Sequence, residues 1–197
     1  MLTKSDAENS DSFLAQGGIC VLRDKNDFDS FMEDTMKAGH YENRKESVEI
    51  MINSSRDIIN ELIGYGVNFA TKDGELDYTR EGAHSKPRIL FHEDITGKEI
   101  TSTLLDAVRK LENVTIMEYV TMTDIIEKDN VCYGVLAKDA NNNEMSIEAG
   151  YTIFACGGIG GLYDHSTNYP HLTGDAIAIA IQHGIKLENV DYVQIHP

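Results

Sequence analysis

The chain has 197 residues, enough for one large domain or two small ones with a buried core. Hydrophobic residues make up 41% and charged residues 25%, which is ordinary for a folded globular protein and argues against disorder. The net charge is −16 and there is no basic stripe, so we expect neither nucleic acid nor an anionic membrane as a partner. Three widely spaced cysteines exclude a disulfide framework, and with no signal-peptide-like start they indicate the cytoplasm.

Two amphipathic helices are predicted in the first third of the chain. The first begins at Asn26 or Asp27, either of which is a good N-cap, and ends near Lys37. Apolar residues at helical spacing predict the second helix over residues 43–63. We interpret residues 25–66 as a helical insert that serves mainly as a structural scaffold.

The next segment reads as short strands followed by a third helix. A turn signal at residues 72–74 predicts a hairpin between short strands at residues 67–70 and 75–78. Thr96 followed by Glu99 three residues later has the form of a capping box and predicts a helix to about Leu111. Residues 114–120 are predicted to form a strand.

The last third predicts more strands and a final helix. An antiparallel meander is expected over residues 123–149, with its turn at residues 139–143. The apolar run over residues 152–155 predicts a strand buried in a parallel sheet. An Ala-rich helix starts near Asp175. The predicted fold class is therefore α/β with α+β character, combining a parallel sheet, an antiparallel meander and a helical insert.

Two glycine clusters are the first candidates for a ligand site. They lie at residues 16–18 (QGG) and at residues 157–161 (GGIGG), directly after the predicted strand at residues 152–155. Glycine leaves room for a flat ring or a phosphate to approach the backbone, although tight turns also explain such clusters. The second cluster is the stronger indication, because ligands of α/β sheets bind beyond the carboxyl ends of strands.

Charged side chains suggest a second kind of site. The loop over residues 80–88 (REGAHSKPR) holds five ionisable groups. Solvation of a surface loop explains such charge, but arginine also binds carboxylates in a fork and Glu81 can receive an ammonium group. The helix start at Asp175 can favour an anion, or Asp175 can simply cap the helix. His196, before a proline, is typical of a structural histidine, and the spacing of the histidines predicts no metal site.

In this order the motifs resemble the L-aspartate oxidases, FAD enzymes of the quinolinate branch of NAD biosynthesis. The resemblance covers nearly the whole chain, and its most specific element is the Arg-Glu-Gly-x-His-Ser loop. The glycine clusters are shared with the wider succinate dehydrogenase and fumarate reductase flavoproteins. The matching stretches are residues 12–19 (SFLAQGGI), 79–85 (TREGAHS), 155–158 (ACGG), 173–175 (TGD) and 194–197 (QIHP).

The resemblance implies FAD as cofactor and assigns residues to it. Residues 1–24 and 67–197 would form part of an FAD-binding domain, into which residues 25–66 are inserted. The residues expected to contact FAD are Ser12, Ala15, Gln16, Gly17, Gly18, Gly157, Gly158 and Asp175.

The resemblance also implies a reaction. Hydride transfer from Cα of L-aspartate to the flavin would give iminoaspartate, with oxygen or fumarate as the electron acceptor and a functional link to quinolinate synthase. Glu81 would recognise the substrate's amino group and His196 a substrate carboxylate. The hydride chemistry belongs to the flavin, and the protein positions the substrate against it.

Two departures from the family pattern, a replaced histidine and missing segments, shape our expectations. Related dehydrogenases carry a flavin-linking histidine where Asp11 stands here, so we expect non-covalent FAD. The family's first strand with its phosphate loop, its capping domain and its catalytic arginine are missing from the sequence. We therefore interpret the chain as a fragment that is inactive alone, and its exposed strand edges predict a homo-oligomer. A fumarate reductase or succinate dehydrogenase type flavoprotein, or a folded fragment without activity, are the alternatives.

Overall fold

The computed structural model describes residues 1–195, so His196 lies outside the described residues. The mixture of helices and strands confirms the predicted class. None of the described helices is both long and apolar enough to cross a bilayer. The helices are α1 (Asp11–Leu14), α2 (Phe28–Ala38), α3 (Lys45–Tyr65), α4 (Thr96–Arg109) and α5 (Asp175–Gln182). The strands are β1 (Ile19–Cys20), β2 (Thr71–Lys72), β3 (Glu75–Leu76), β4 (Ile89–Leu90), β5 (Thr121–Lys128), β6 (Val131–Lys138) and β7 (Glu144–Glu148).

The described chain divides into two compact units. Residues 12–112 form one, here called the helical unit, and residues 1–11 with the described residues from Asn113 onward form the other, here called the meander unit. The predicted domain boundaries, which separate residues 25–66 from the rest, concern a different division of the chain and stay a prediction.

Helices α2 and α3 pack against each other, as their apolar spacing predicts. Helix α2 begins directly after Asp27, and Phe31 on its inner face joins Val48 and Ile52 of α3 in one core cluster. Ile52 has no exposed surface at all. The next turns of α3 contribute to a second cluster, whose buried members are Val21, Ile59, Leu62, Val67, Phe69 and Leu90.

Short antiparallel pairs complete the helical unit. Strand β1 pairs with β4, so that Ile19 lies opposite Leu90. Strands β2 and β3 form a hairpin at the predicted turn, with Asp73 and Gly74 at positive φ, but the first strand lies at residues 71–72 and not at residues 67–70. The pairing of β1 with β4 is tight, because a Cβ at Gly18 would lie only 2.3 Å from the carbonyl oxygen of Leu90.

The predicted capping box of α4 is wrong. The helix starts after Ile95, so Thr96 is already its first residue, and its hydroxyl accepts a hydrogen bond from the His92 amide at 2.9 Å. The Glu99 carboxylate instead accepts from the backbone amide of Asn68 at 2.8 Å. A tertiary contact therefore takes the carboxylate that the local motif had assigned to the cap.

The meander is confirmed in the second unit. Strands β5, β6 and β7 form an antiparallel sheet in that order, and helix α5 packs Ile179 against Ile125 and Val135. In the predicted turn, the Asp139 carboxylate accepts from the amides of Asn141 and Asn143 at 2.8 and 2.9 Å.

Two predicted strands do not form. Residues 152–155 belong to no strand among the described residues, and the side chain of Ile153 is 89% exposed rather than buried. In residues 114–120 the only pairing is a parallel bridge between Leu2 and Met117, which is also the only parallel pairing that the structure describes. The parallel sheet is thus reduced to one bridge, because an apolar run becomes a strand only where a neighbouring strand accepts its hydrogen bonds.

Truncation of Ile52 tests the packing of α2 on α3. We expect Ile52→Ala to lower the free energy of unfolding by about 2–5 kcal/mol, because it leaves a cavity at a fully buried position. The matched control is Ile50→Ala on the same helix, where the side chain is 62% exposed and a change within about 0.5 kcal/mol is expected. Urea unfolding followed by circular dichroism measures both, and equal losses would contradict this packing.

Candidate functional site

The first turn of α4 is hydrogen-bonded to the loop over residues 12–18, which contains the first glycine cluster. The amide of Gly97 donates to the carbonyl oxygen of Ala15 at 2.8 Å. A Cβ at Gly97 would lie 2.2 Å from the carbonyl oxygen of Ser12, so only glycine allows this approach. Sequence reasoning missed Gly97, although a glycine in the first turn of a predicted helix was the available signal.

The same loop lies beside Glu81. A Cβ at Gly17 would lie 3.5 Å from Glu81 Oε2, so the carboxylate stands directly over the backbone of the cluster. The side chains of Ser12, Ala15 and Gln16 are exposed. The helical unit therefore brings together the predicted substrate carboxylate and the predicted cofactor loop, with an accessible surface around them.

A tight turn presents Glu81, and helix α2 anchors the residues that follow it. The His84 amide donates to the Glu81 carbonyl oxygen at 3.2 Å, with Gly82 at a positive φ of 54° between them. The amide and hydroxyl of Ser85 both donate to Asp34 Oδ2 of α2 at 2.7 Å. The charged loop that sequence reasoning singled out is thus fixed rather than simply solvated.

The anchor of this loop is the buried guanidinium of Arg88. Its Nε and Nη2 donate to the two carboxylate oxygens of Asp27 at 3.0 and 2.9 Å, which is the fork geometry of a strong ion pair. Its Nη1 donates to Asp34 Oδ2 at 2.5 Å, and Nη2 also reaches Ser30 Oγ at 2.8 Å. The guanidinium lies over the Phe31 ring, 4.8 Å from its centroid. We call Arg88, Asp27 and Asp34 the arginine clamp.

The charges of the arginine clamp stabilise one another. Hydrogen bonds from Arg88, Ser30 and Lys86 hold the pKa of Asp27 far below its usual range, against the opposing effect of burial. Burial works to raise the pKa of Asp34, but hydrogen bonds from Ser85 and Arg88 outweigh it and lower the pKa. Burial works to lower the pKa of Arg88, and the two carboxylates raise it instead.

Loss of one carboxylate tests the arginine clamp. We expect Asp27→Asn to lower the free energy of unfolding by about 3–5 kcal/mol, because the fully buried Arg88 charge loses the carboxylate that binds it in the fork geometry. Asp29→Asn, at an exposed position one residue into α2, is the control and should change stability by less than about 0.5 kcal/mol.

The arginine clamp also predicts acid sensitivity. Because folding lowers the pKa of Asp27, its stabilising effect is complete above the unfolded aspartate pKa of about 3.9 and is lost as the pH falls below it. The unfolding free energy of the wild-type chain should therefore fall more steeply below pH 4 than that of Asp27→Asn. Parallel acid curves would show that the pair is not formed in solution.

In the meander unit, Asp175 is the first residue of α5 but does not cap it. Its carboxylate accepts from Lys4 Nζ and from Thr173 Oγ1, each at 2.7 Å, and makes no cap hydrogen bond. Burial works to raise the pKa of Asp175, while the bonds from Lys4 and Thr173 outweigh it and lower the pKa. Asp175 is thus an ionised group that fixes the N-terminal segment against the start of α5.

The second glycine cluster has two kinds of position. A Cβ at Gly157 would meet Leu172 at 2.7 Å and one at Gly161 would meet the Pro170 carbonyl at 2.5 Å, so both are explained by packing. Gly158 has nothing within 4 Å of such a Cβ and is exposed. Gly158 is therefore the position of this cluster where a ligand can approach the backbone.

The side chain of Asp11 is fully engaged within the meander unit. Its carboxylate accepts from the side-chain amide of Asn168 and from the backbone amide of Tyr169, the latter at 3.1 Å. Asp11 therefore links the end of the N-terminal segment to the loop before α5.

The open glycine backbones and ordered acidic groups agree with the class of protein that comparison identifies. A family model described as an FAD binding domain matches residues 1–197, and the chain belongs to this family. The fold is that of the flavoprotein subunits compared below, which agrees with the predicted class.

Individual proteins of known name and structure are also similar to this chain. The L-aspartate oxidase of Clostridium perfringens is 45% identical over the whole of this chain, which spans 45% of that protein. The Mycobacterium smegmatis Sdh1 structure in complex with UQ1 is 28% identical with a TM-score of 0.83, over 92% of this chain and 33% of that one. An E. coli quinol fumarate reductase structure, FrdA, has a TM-score of 0.85 at 23% identity over 92% of this chain and 32% of that one, a likeness of fold alone.

The space beside the glycine backbones decides whether the described residues fit an FAD molecule. A dinucleotide with a flat ring needs backbone that it can approach closely, and Gly158 offers it, with nothing within 4 Å of a Cβ. At Gly17 the Glu81 carboxylate lies 3.5 Å from such a Cβ. Gly18 does not offer such an approach, because its lack of a side chain is already required by the pairing of β1 with β4. Among the described residues no cluster could hold a metal ion.

Proposed function

We propose that this chain is the FAD-binding part of an L-aspartate oxidase, which oxidises L-aspartate to iminoaspartate with oxygen or fumarate as acceptor. The observation that carries the proposal is the Glu81 carboxylate beside Gly17, in a chain 45% identical along its length to an L-aspartate oxidase. Because the chain spans less than half of that relative, the activity is a property of the whole enzyme and we expect the chain alone to be inactive.

In this proposal the chain's own residues bind and orient. Within the helical unit, Glu81 attracts the ammonium group of aspartate, and the loop over residues 12–18 offers exposed backbone to the cofactor. Bound FAD supplies the hydride acceptor. The residues proposed to contact FAD are Ser12, Ala15, Gln16, Gly17 and Gly18 in the helical unit, and Gly157, Gly158 and Asp175 in the meander unit.

The remaining assignments are also proposals. His196 is proposed to bind a substrate carboxylate, and the support is the sequence motif alone. A cytoplasmic location is supported by the free thiols of the three cysteines. A homo-oligomer is supported by the exposed apolar run around Ile153, and the link to quinolinate synthase follows from the proposed product.

Non-covalent attachment follows from the chemistry of Asp11. Its carboxylate is held by two hydrogen bonds, and a carboxylate does not form the link that a histidine ring makes in the related dehydrogenases. Any flavin that the chain binds should therefore leave when the protein is denatured.

An FAD titration of the purified chain tests the proposal. We expect saturable quenching of flavin fluorescence, and complete release of the yellow chromophore into the supernatant after acid precipitation. Flavin that stays with the precipitate would favour the dehydrogenase type of flavoprotein, and absence of binding would contradict an FAD site formed by this chain.

Two matched glycine variants test where FAD approaches. We expect Gly158→Val to weaken FAD binding by at least about tenfold, since the new side chain occupies the space that the cofactor needs. Gly150→Val is the control, because Gly150 is equally open, with nothing within 4 Å of a Cβ and no positive φ. Equal FAD dissociation constants for the two variants would place the cofactor away from Gly158.

A further inference from the structure

The imidazole of His84 lies between an arginine and a thiol. Its Nδ1 is 3.0 Å from Arg88 Nη1, and its Nε2 is 3.1 Å from Cys20 Sγ. A guanidinium can only donate hydrogen bonds, so Nδ1 must be the unprotonated acceptor. The ring hydrogen of neutral His84 is therefore on Nε2 and donates to the Cys20 sulfur. One contact thus determines both the tautomer and the orientation of the ring.

The surroundings agree with a neutral His84. The groups that face it are Arg88, Asp34, Asp27 and the Cys20 thiol, and its ring meets the Phe31 ring edge to face with centroids 5.6 Å apart. Burial and the Arg88 charge lower the pKa of His84, and the two carboxylates only partly oppose them. Burial raises the pKa of the Cys20 thiol, so the sulfur stays protonated and is a weak acceptor.

The contact continues from His84 to Glu81. The backbone amide of His84 donates to the Glu81 carbonyl oxygen, which closes the turn that sets Glu81 beside Gly17. Asp27 and Asp34 meanwhile fix the guanidinium from α2. A continuous path of hydrogen bonds therefore leads from α2 through Arg88 and His84 to the turn that carries the proposed substrate carboxylate.

We propose that Arg88 is a positioning residue. By donating to His84 Nδ1 while Asp27 and Asp34 hold it, Arg88 fixes the neutral, Nε2-protonated form of His84 and thereby the turn that presents Glu81. His84 itself transfers no proton in this arrangement, because both ring nitrogens are engaged by protein groups. The proposal rests on the part given to Glu81 in the proposed function, but the geometry of the path stands without it.

The protonation of each ring nitrogen tests the proposal directly. Long-range ¹H–¹⁵N correlation spectra of the ¹⁵N-labelled chain distinguish protonated from unprotonated nitrogen, and a His84→Asn spectrum assigns the signals. We expect His84 to keep an unprotonated Nδ1 and a protonated Nε2 one pH unit below the usual histidine pKa of about 6.5, where a free imidazole is about nine-tenths protonated. A doubly protonated ring, or hydrogen on Nδ1, would overturn the proposal.

Three variants separate Arg88 from its neighbours. Arg88→Lys loses the fork geometry, so His84 should become protonated at higher pH and its tautomers should mix. Cys20→Ala should leave the Nε2-protonated form in place, and a change of tautomer there would show that the thiol sets it instead. Arg80→Lys, on the exposed side of the same loop, is the matched control and should leave the His84 spectrum unchanged.

Hydrogen exchange tests the link to the turn. In Arg88→Lys the amides of His84 and Ser85 should exchange at least about tenfold faster, while amides in α3 keep their protection. Unchanged exchange at His84 would show that the turn forms without the arginine. If Arg88→Lys does not fold, the wild-type and Cys20→Ala spectra still decide the tautomer. Neither readout needs FAD or aspartate, so a failed FAD titration and a failed positioning test remain distinguishable.

Discussion

The helical unit depends on a buried guanidinium, which stays charged and therefore needs carboxylates beside it. Arg88 has no exposed surface, so its charge needs the carboxylates that α2 supplies at Asp27 and Asp34. Meeting this need draws the loop over residues 80–88 onto α2 and gives the loop a defined shape. Helix α2 and the loop over residues 80–88 are thus joined by one electrostatic constraint, which gives the Asp27 and Asp34 carboxylates a structural cause.

The two units order the candidate residues by different means. In the helical unit, backbone contacts act beside the arginine clamp, since the Gly97 amide bonds the Ala15 carbonyl and a backbone turn presents Glu81. In the meander unit, side chains do the same work, through Lys4 on Asp175 and Asn168 on Asp11. Only in the meander unit does a candidate glycine, Gly158, have open space around its backbone in the described structure.

Local sequence patterns correctly predicted the structures that depend on interactions between residues close together in the chain. Helices α2 and α3 and the turn at Asp139 depend on neighbours in the chain, and all three were predicted. The strand expected at residues 152–155 needs a partner strand that no local pattern supplies, and the Glu99 cap lost its carboxylate to Asn68. The pairing of Arg88 with Asp27 joins residues 61 positions apart, a distance at which spacing carries no signal. The motifs singled out Glu81 and Gly158, whose roles stay predictions, but gave no sign of the close approach at Gly97.

Helix α3 gives two buried side chains, Val48 and Ile52, to the cluster with α2, and two others, Ile59 and Leu62, to the cluster behind β1 and β4. Helix α3 therefore contributes buried side chains to two separate apolar clusters. Residues 25–66 cannot be excised or exchanged with those of a relative as a module, because the cluster behind β1 and β4 would lose Ile59 and Leu62, two of its six buried members.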